Sequence, residues 1–199
     1  MKRIEEQLNR LTPQQFAVMT GKWAGGRDPI KKDGYRHAAV LVPVLRQNEM
    51  WTLLFTRRRD NLQAHSGEVS FPGGAQEPGD HSLVDTALRE AYEEIGLKRD
   101  NVRILGSLPA VYSVSGFEVT PILGVIENHF TPVLQESEVK RLFAVPISWL
   151  ASEENYKIRP WQGERDGWNE IVYYKAYDGE TVWGLTAGIV HMLFDILKA

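Results

Sequence analysis

The segment FPGGAQEPGDHSLVDTALREAYEEIGL, residues 71–97, limits what this chain can become more than any other stretch. It places a Pro-Gly-Gly turn shortly before an amphipathic run whose end carries Glu90, Glu93 and Glu94. At about 100° per residue, Leu83, Val84, Ala87, Leu88, Ala91 and Ile95 fill one arc and define the core side of a helix expected from about Ser82 to Glu94. Glu90 and Glu94 share a face at the border of that arc. Glu93 lies further round, four residues from Arg89, at the spacing of a helical ion pair.

A glutamate-rich helical face is ordinarily just solvated. Glu94 argues against that reading, because its direction falls between those of Leu83 and Ala87. That position predicts partial burial, and an ionised carboxylate there requires a compensating cation. Converging carboxylates suit a hard ion such as Mg²⁺, which takes oxygen ligands and shares them with water and substrate phosphates. Gly73 and Gly74 permit a tight strand-to-loop turn and let backbone N–H groups approach an anion. Two glycines alone mark only a turn. Joined to a carboxylate cage, they provide for a metal and a phosphate, the equipment for attack of water on phosphorus.

Around this segment the sequence alternates between strand and helix signals. Ile4, Leu8 and Leu11 recur at helical spacing, Thr12-Pro13 reads as a cap followed by a first-turn proline, and a second short helix is expected through Phe16 to Met19. GGRDPIKKDG (25–34) marks a loop before the buried strand AAVLVPVL (38–45). WTLLFT (51–56), after a turn at Gln47-Asn48, and GEVSF (67–71) read as further strands, as do VRILGSL and FEVTPILGVI. SEVKRLFAVPISWL (137–150) predicts a helix at its start, residues 167–184 predict a hairpin turning at Asp178-Gly179, and a helix from about Leu185 to Leu197 closes the chain. Without a regular βαβ alternation, a repeat or a convincing linker, this order predicts one compact mixed α/β (α+β) domain.

Composition narrows the chemistry. The 199 residues suffice for one domain with a substantial core. A net charge of −3 gives no broad attraction for nucleic acid or a membrane surface, so the expected partner is a small molecule. The absence of cysteine excludes disulfides, thiolate nucleophiles and cysteine–zinc sites, leaving oxygen, nitrogen or a hard cation to do the chemistry. Glu5 and Glu6 interrupt any signal-like apolar stretch, and no run reaches membrane-spanning length, so a cytoplasmic location is expected.

The residues of the glutamate segment resemble the signature of the Nudix hydrolases: a glycine, a spaced acidic residue, then Arg-Glu-apolar-x-Glu-Glu-x-Gly-apolar. REAYEEIGL (89–97) completes the second half. The spaced acid is Asp80, and the fourteen residues 75–88 separate Gly74 from Arg89, one more than the common pattern has. That longer spacing is also seen in the coenzyme A pyrophosphatase branch, whose upstream signature runs roughly Leu-Leu-Thr-x-Arg, then Leu-Arg, then a glycine before Phe-Pro-Gly-Gly. LFTRRRDNLQAHSGEVSFPGG (54–74) is similar to it at Leu54, Thr56, Arg58, Leu62, Gly67 and Phe71 to Gly74, while Gln63 stands where the branch usually has arginine. With GFEVTPILGVI, SEVKRLFAVPISWL and WGLTA, the likeness covers about residues 35–190.

The resemblance implies a Nudix fold, a mixed sheet sandwiched between helices with a loop–helix–loop motif, over residues 35–199, with residues 1–34 a helical segment and loop packed on it. It implies Mg²⁺ or Mn²⁺ held by Glu90 and Glu94, with Glu93 as an auxiliary ligand or as the partner of Arg89, which orients the glutamates. The implied reaction is hydrolysis of the diphosphate of coenzyme A or its derivatives, by a monomer or homodimer. Arg58, and Arg59 beside it in the basic run 57–59, would grip phosphates with guanidinium forks, although such a run also suits a solvated strand end. Strand alternation sends Arg57 and Arg59 to one face and Arg58 to the other.

Gly73 and Gly74 would meet the substrate, and His65, inside the upstream signature, could do so. Glu138 resembles a late acidic residue that serves as general base, yet the helix dipole would explain it as well. Tyr112 and Phe117 could stack on an adenine or belong to the core. Two other functions fit the same residues: a pyrophosphatase for ADP-ribose, NADH or another nucleoside diphosphate derivative, and a non-catalytic nucleotide-binding module, though the latter would not need all three glutamates.

Overall fold

A computed structural model describes residues 2–22, 34–60, 66–160 and 170–198. Two helices come first, α1 (Lys2–Arg10) and α2 (Pro13–Lys22). Thr12 and Gln15 cap the second reciprocally: Thr12 Oγ1 accepts from the Gln15 N–H, and Gln15 Oε1 accepts from the Thr12 N–H. Next come β1 (Arg36–Gln47), β2 (Met50–Arg58), β3 (Val69–Ser70) and β4 (Gly73–Ala75), then helix α3 (Leu83–Ile95). Strands β5 (Val102–Ser107), β6 (Val111–Tyr112), β7 (Phe117–Ile126) and β8 (Val139–Pro146) precede the short helix α4 (Ile147–Leu150). A separate two-stranded ribbon, β9 (Tyr156–Pro160) and β10 (Glu170–Tyr174), leads to the last helix, α5 (Gly184–Lys198).

The first eight strands form one mixed sheet with the path β3-β2-β1-β7-β5, in which β8 pairs with β2, β4 with β1 and β6 with β7. Strand β1 is its axis. It runs parallel to β7 from Arg36↔Phe117 to Leu45↔Ile126, and its other edge is shared between β4 and β2. A strand buried on both faces reads as a continuous apolar run, and the two faces of β1 separate by parity. Val42 and Val44 enter one core with α1, α2 and α5, while Ala39 and Leu41 enter the other with Ala87, Leu88, Ala91 and Ile95 of α3. The sheet is therefore sandwiched between helices, the expected mixed α/β class.

Two sequence expectations change. The turn between β1 and β2 sits at Asn48-Glu49, one residue later than expected, because these two residues take positive φ (49° and 66°), as a tight hairpin requires. The helix expected at the start of 137–150 is a single turn, in which the Glu138 and Val139 N–H groups both donate to the Gln135 carbonyl. Strand β8 follows, and helix is confined to Ile147–Leu150. Val139, Phe143 and Val145 are buried at period two, and β2 supplies the hydrogen bonds that a helix would have satisfied internally.

The late hairpin turns at Asp178-Gly179 as expected, closed by reciprocal Tyr177–Glu180 backbone bonds and bridged again at Tyr173↔Trp183. The other edge of β10 pairs with β9, a strand with no clear signal in the sequence. The loop expected at 25–34 lies, except for Gly34, outside the described residues, as do Gln63 and His65. No helix among the described residues is long and apolar enough to cross a membrane.

Candidate active site

The turn Phe71–Gly74 is clamped from both sides. Phe71 is buried and stacks on Phe55 at 4.8 Å, and the Pro72 carbonyl accepts from the Leu41 N–H. Gly73 then pairs with Val40, and Gly74 with Ala39. Both glycines are needed for space. A Cβ at Gly73 would lie 2.6 Å from Val40 Cα, and one at Gly74 would lie 2.5 Å from Cδ of Glu90. The glutamate carboxylate thus rests directly on the glycine turn.

Helix α3 is fixed at both ends. Ser82 Oγ accepts from the Asp85 N–H at the N-cap, and Gly96, at φ 72°, closes the C-terminus with its N–H donated to the Tyr92 carbonyl. Beyond it, the Val133 and Gln135 N–H groups donate to the Ile95 and Glu94 carbonyls, which brings the turn bearing Glu138 back over the helix end.

Arg89 organises the near side. Its Nε and Nη2 bind Asp80 in a two-pronged pair at 3.0 Å each, Nη2 also donates to the Ala75 carbonyl, and Nη1 donates to Glu90 Oε1 at 2.9 Å and Glu93 Oε2 at 3.1 Å. All five N–H groups of the guanidinium are thereby used, so Arg89 holds carboxylates and has no donor left for a substrate. Asp80 also accepts from the Glu77 N–H and the buried Thr86 hydroxyl, and the Arg89 guanidinium holds its carboxyl down at about 2.

The far side centres on Glu94, only 3% exposed. Arg58 Nη1 stands 3.7 Å from its Oε1, while its Oε2 is buried without a hydrogen-bond partner. Burial pushes its carboxyl up to about 8; Arg58 and the Gly73 N–H lower it, and Glu90 and Glu138 raise it further. Burial likewise raises Glu90, partly offset by Arg89 and reinforced by Glu93 and Glu138. The wheel position of Glu94 thus translates into a carboxylate that lacks a full counter-charge.

The predicted site residues divide accordingly. Glu90, Glu94 and Glu138 converge closely enough to feel one another's charge, Arg58 reaches the same space, and Gly73 and Gly74 form its floor. Glu93 is drawn toward Arg89 and is half-exposed. Arg57 points elsewhere, to Glu180 and Asp60 at 3.0 Å each, so alternation separated it correctly from Arg58. Arg59 donates its backbone N–H to the Glu138 carbonyl and keeps a buried Nε without an acceptor. His65 is outside the described residues. Asp80 is visible in the sequence as the spaced acid, but its role as the anchor of Arg89 is not; Thr86, four residues after Ser82 on the buried side of the helix, carries no local signal of its bond to Asp80.

Among the described residues no three acidic or histidine side chains form a ready-made metal cage. The fit to a hard cation rests on other features: an all-oxygen donor set, an orphaned buried carboxylate oxygen on Glu94, and two further carboxylates within electrostatic reach. Beside this cluster opens a cavity of about 470 Å³, reached by Arg58, Gly73 and Gly74 and walled in part by Tyr112 and Phe117. Tyr112 packs edge-on against Tyr35, and Phe117 lies under the Arg36 guanidinium.

A glycine turn seated under a helix whose arginine and glutamates interlock in this way, on a mixed sheet between helices, matches a known family. The NUDIX domain model fits residues 35–164, and the chain belongs to the Nudix hydrolases, enzymes of the pyrophosphohydrolase type. Among its relatives are the uncharacterized Nudix hydrolase NudL of Pectobacterium atrosepticum, 45% identical over 160 residues that cover 79% of this chain and 81% of the relative. A second is NudL of Yersinia enterocolitica, 44% identical over 79% of each chain. A MutT/nudix family protein from Enterococcus faecalis shares the fold at a TM-score of 0.54 and 13% identity, covering 98% of this chain and 72% of that one.

Proposed function

We propose that this enzyme hydrolyses the diphosphate of coenzyme A or its derivatives, yielding 3′,5′-ADP and 4′-phosphopantetheine or its acyl form. The observation that carries the reading is the buried, incompletely paired Glu94 beside Glu90, set against a glycine floor and Arg58. The upstream segment 54–74 supports the choice of substrate.

In this reading Glu90 and Glu94 are the principal ligands of Mg²⁺ or Mn²⁺, and Glu93, held by Arg89, is auxiliary. A bound divalent ion supplies charge neutralisation on the diphosphate oxygens and a lowered pKa for water. The chain's own residues do the rest. Arg58 and Arg59 offer guanidinium donors to phosphate oxygens, and the Gly73-Gly74 backbone lets the diphosphate approach without a side chain in between. Glu138 accepts the proton of the attacking water. The water oxygen bonds to one phosphorus, the bridging P–O bond breaks, and the second phosphate leaves with the bond's electrons, so no covalent enzyme intermediate is required.

A second reading retains the same site for ADP-ribose or NADH, favoured by Gln63 in place of the branch's usual arginine. Product chromatography after incubation with coenzyme A, its dephospho form, ADP-ribose and NADH separates the two. Preferential release of 3′,5′-ADP is expected. Equal cleavage of coenzyme A and its dephospho form, or cleavage of ADP-ribose alone, would overturn the coenzyme A assignment.

A further inference from the structure

Strands β2 and β8 pair regularly from Thr52↔Pro146 to Arg57↔Arg141, and then the register slips. Arg58 lies opposite Val139, so Lys140 is an extra residue on β8. Pairing resumes beyond it, with the Arg59 N–H donated to the Glu138 carbonyl at 2.8 Å. This is a β-bulge, which leaves one residue of a pair unmatched and re-aims the side chains next to it. It falls between Arg58 and Glu138, both of which approach Glu94.

Parity shows what the extra residue changes. Arg57 and Arg141, the last regular pair, point to the same face and both reach Glu180, at 3.0 and 3.7 Å. Arg58, next along β2, points to the opposite face, toward Glu94. In a regular ladder its partner would point with it. Val139 does not: it is buried in the core shared with α5, together with Phe55, Phe143 and Val145. The bulge absorbs that half-turn and leaves Glu138 facing the glutamate helix, where its charge raises Glu90 and Glu94.

Neither ladder without a bulge would do this. With Lys140 opposite Arg58, Glu138 would stand opposite Asp60, about 3.3 Å further along β2. With Lys140 removed and Arg58 still opposite Val139, Val139 would turn toward Glu94 and Glu138 toward α5, because a change of one residue sends each side chain to the other face. The bulge is also tied in place. Lys140 Nζ lies 2.5 Å from Asp60 Oδ2, and the other oxygen of that carboxylate takes Arg57 Nη2 at 3.0 Å. Gly67, at φ 69°, leaves room for this arrangement, since a Cβ there would stand 2.5 Å from Arg57 Nη1 and 2.9 Å from Asp60 Oδ1.

We propose that Lys140 is a positioning residue, inserted into β8 so that Glu138 meets the glutamate cluster while Val139 stays in the opposite core. The inference rests on the reading of Glu138 as the acceptor of the water's proton. It does not depend on which nucleoside diphosphate is cleaved.

The test deletes Lys140 and measures kcat and KM with Mg²⁺ on the best substrate among coenzyme A, ADP-ribose and NADH, beside Glu138→Gln and with folding followed by thermal melting. A general base contributes about 10²–10⁴-fold, so the deletion and Glu138→Gln should each lower kcat by at least about 100-fold with KM changed by less than about threefold. Combined, they should cost no more than either alone. In the deletion background, exchanging the neighbours (Glu138→Val with Val139→Glu) returns a carboxylate to the α3 face and should recover at least about tenfold in kcat. A folded deletion variant with wild-type kcat, additive losses, or an exchange that folds without recovery would overturn the inference. If deletion and exchange both fail to fold, the bulge serves folding alone and the inference falls. Wild-type kcat in Glu138→Gln would instead take down the reading of Glu138 on which it rests.

Discussion

Exchanging each glycine of the Gly73-Gly74 pair for alanine should have opposite consequences, although the two are neighbours with the same side-chain deficit. At Gly73 an added methyl meets backbone and a rigid side chain: Val40 Cα at 2.6 Å and Val40 Cγ1 at 2.7 Å. Neither can move without disturbing the β1–β4 ladder, so Gly73→Ala should cost about 1–3 kcal/mol, the usual range for overpacking. With a urea m-value of about 1–3 kcal/mol/M, that lowers the unfolding midpoint by roughly 1 M.

At Gly74 the methyl meets the far end of Glu90, whose side chain can rotate away. The fold should lose less than about 1 kcal/mol, but rotation breaks the 2.9 Å bond to Arg89 and removes the carboxylate from the glycine floor. Glu90 is one of the proposed metal ligands, and losing even the partner that orients such a ligand typically costs about 10–100-fold, so kcat/KM for Gly74→Ala should fall by at least that factor. Urea unfolding and steady-state rates on the same preparations check both halves. A Gly74→Ala enzyme with full activity, or a Gly73→Ala protein as stable as the wild type, would refute the packing argument.

Three further outcomes follow from the site. Glu94→Gln should abolish turnover without unfolding the protein. Because burial raises the folded carboxyl to about 8, its protonation contributes stability that is fully present below the ordinary carboxylate value and lost as pH rises through about 8; the metal-free wild type should lose melting temperature between pH 5 and pH 8 more than Glu94→Gln does, and parallel profiles would count against it. Asp80, held down at about 2, works in the other sense: its contribution is present above the unfolded value near 3.8 and lost as pH falls through about 2, and Asp80→Asn should destabilise by about 1–3 kcal/mol at neutral pH, measured by urea unfolding. Arg57→Ala should lower stability through its lost bonds to Glu180 and Asp60, whereas Arg58→Ala should lower kcat/KM at least tenfold; the reverse pattern would mean the basic run was assigned backwards.

The site was more legible in the sequence than the sheet around it, for a physical reason. A helical wheel converts spacing directly into direction, so the burial of Glu94 and the Arg89–Glu93 pair could be read from residues 83–95 alone. The glycine turn was equally local. Strand identity is not. Whether residues 139–146 become helix or strand depends on β2 offering an open edge, and β9 exists because β10 lies beside it. The cavity wall was the least legible part, since Val69, Val114, Ile171 and Trp183 meet only through tertiary packing and none belongs to a local pattern. Asp80 falls in between: its place in the signature was visible, but its two-pronged grip on Arg89 required the loop 75–80 to fold back across the helix.

Whether the Glu90–Glu94 pair holds a hard divalent ion is decided by titrating Mn²⁺ into wild-type protein, Glu94→Gln and Glu90→Gln, with free Mn²⁺ followed by electron paramagnetic resonance. One site is expected in the wild type, weakened at least tenfold in each variant. Equal Mn²⁺ affinity in all three proteins would contradict that assignment.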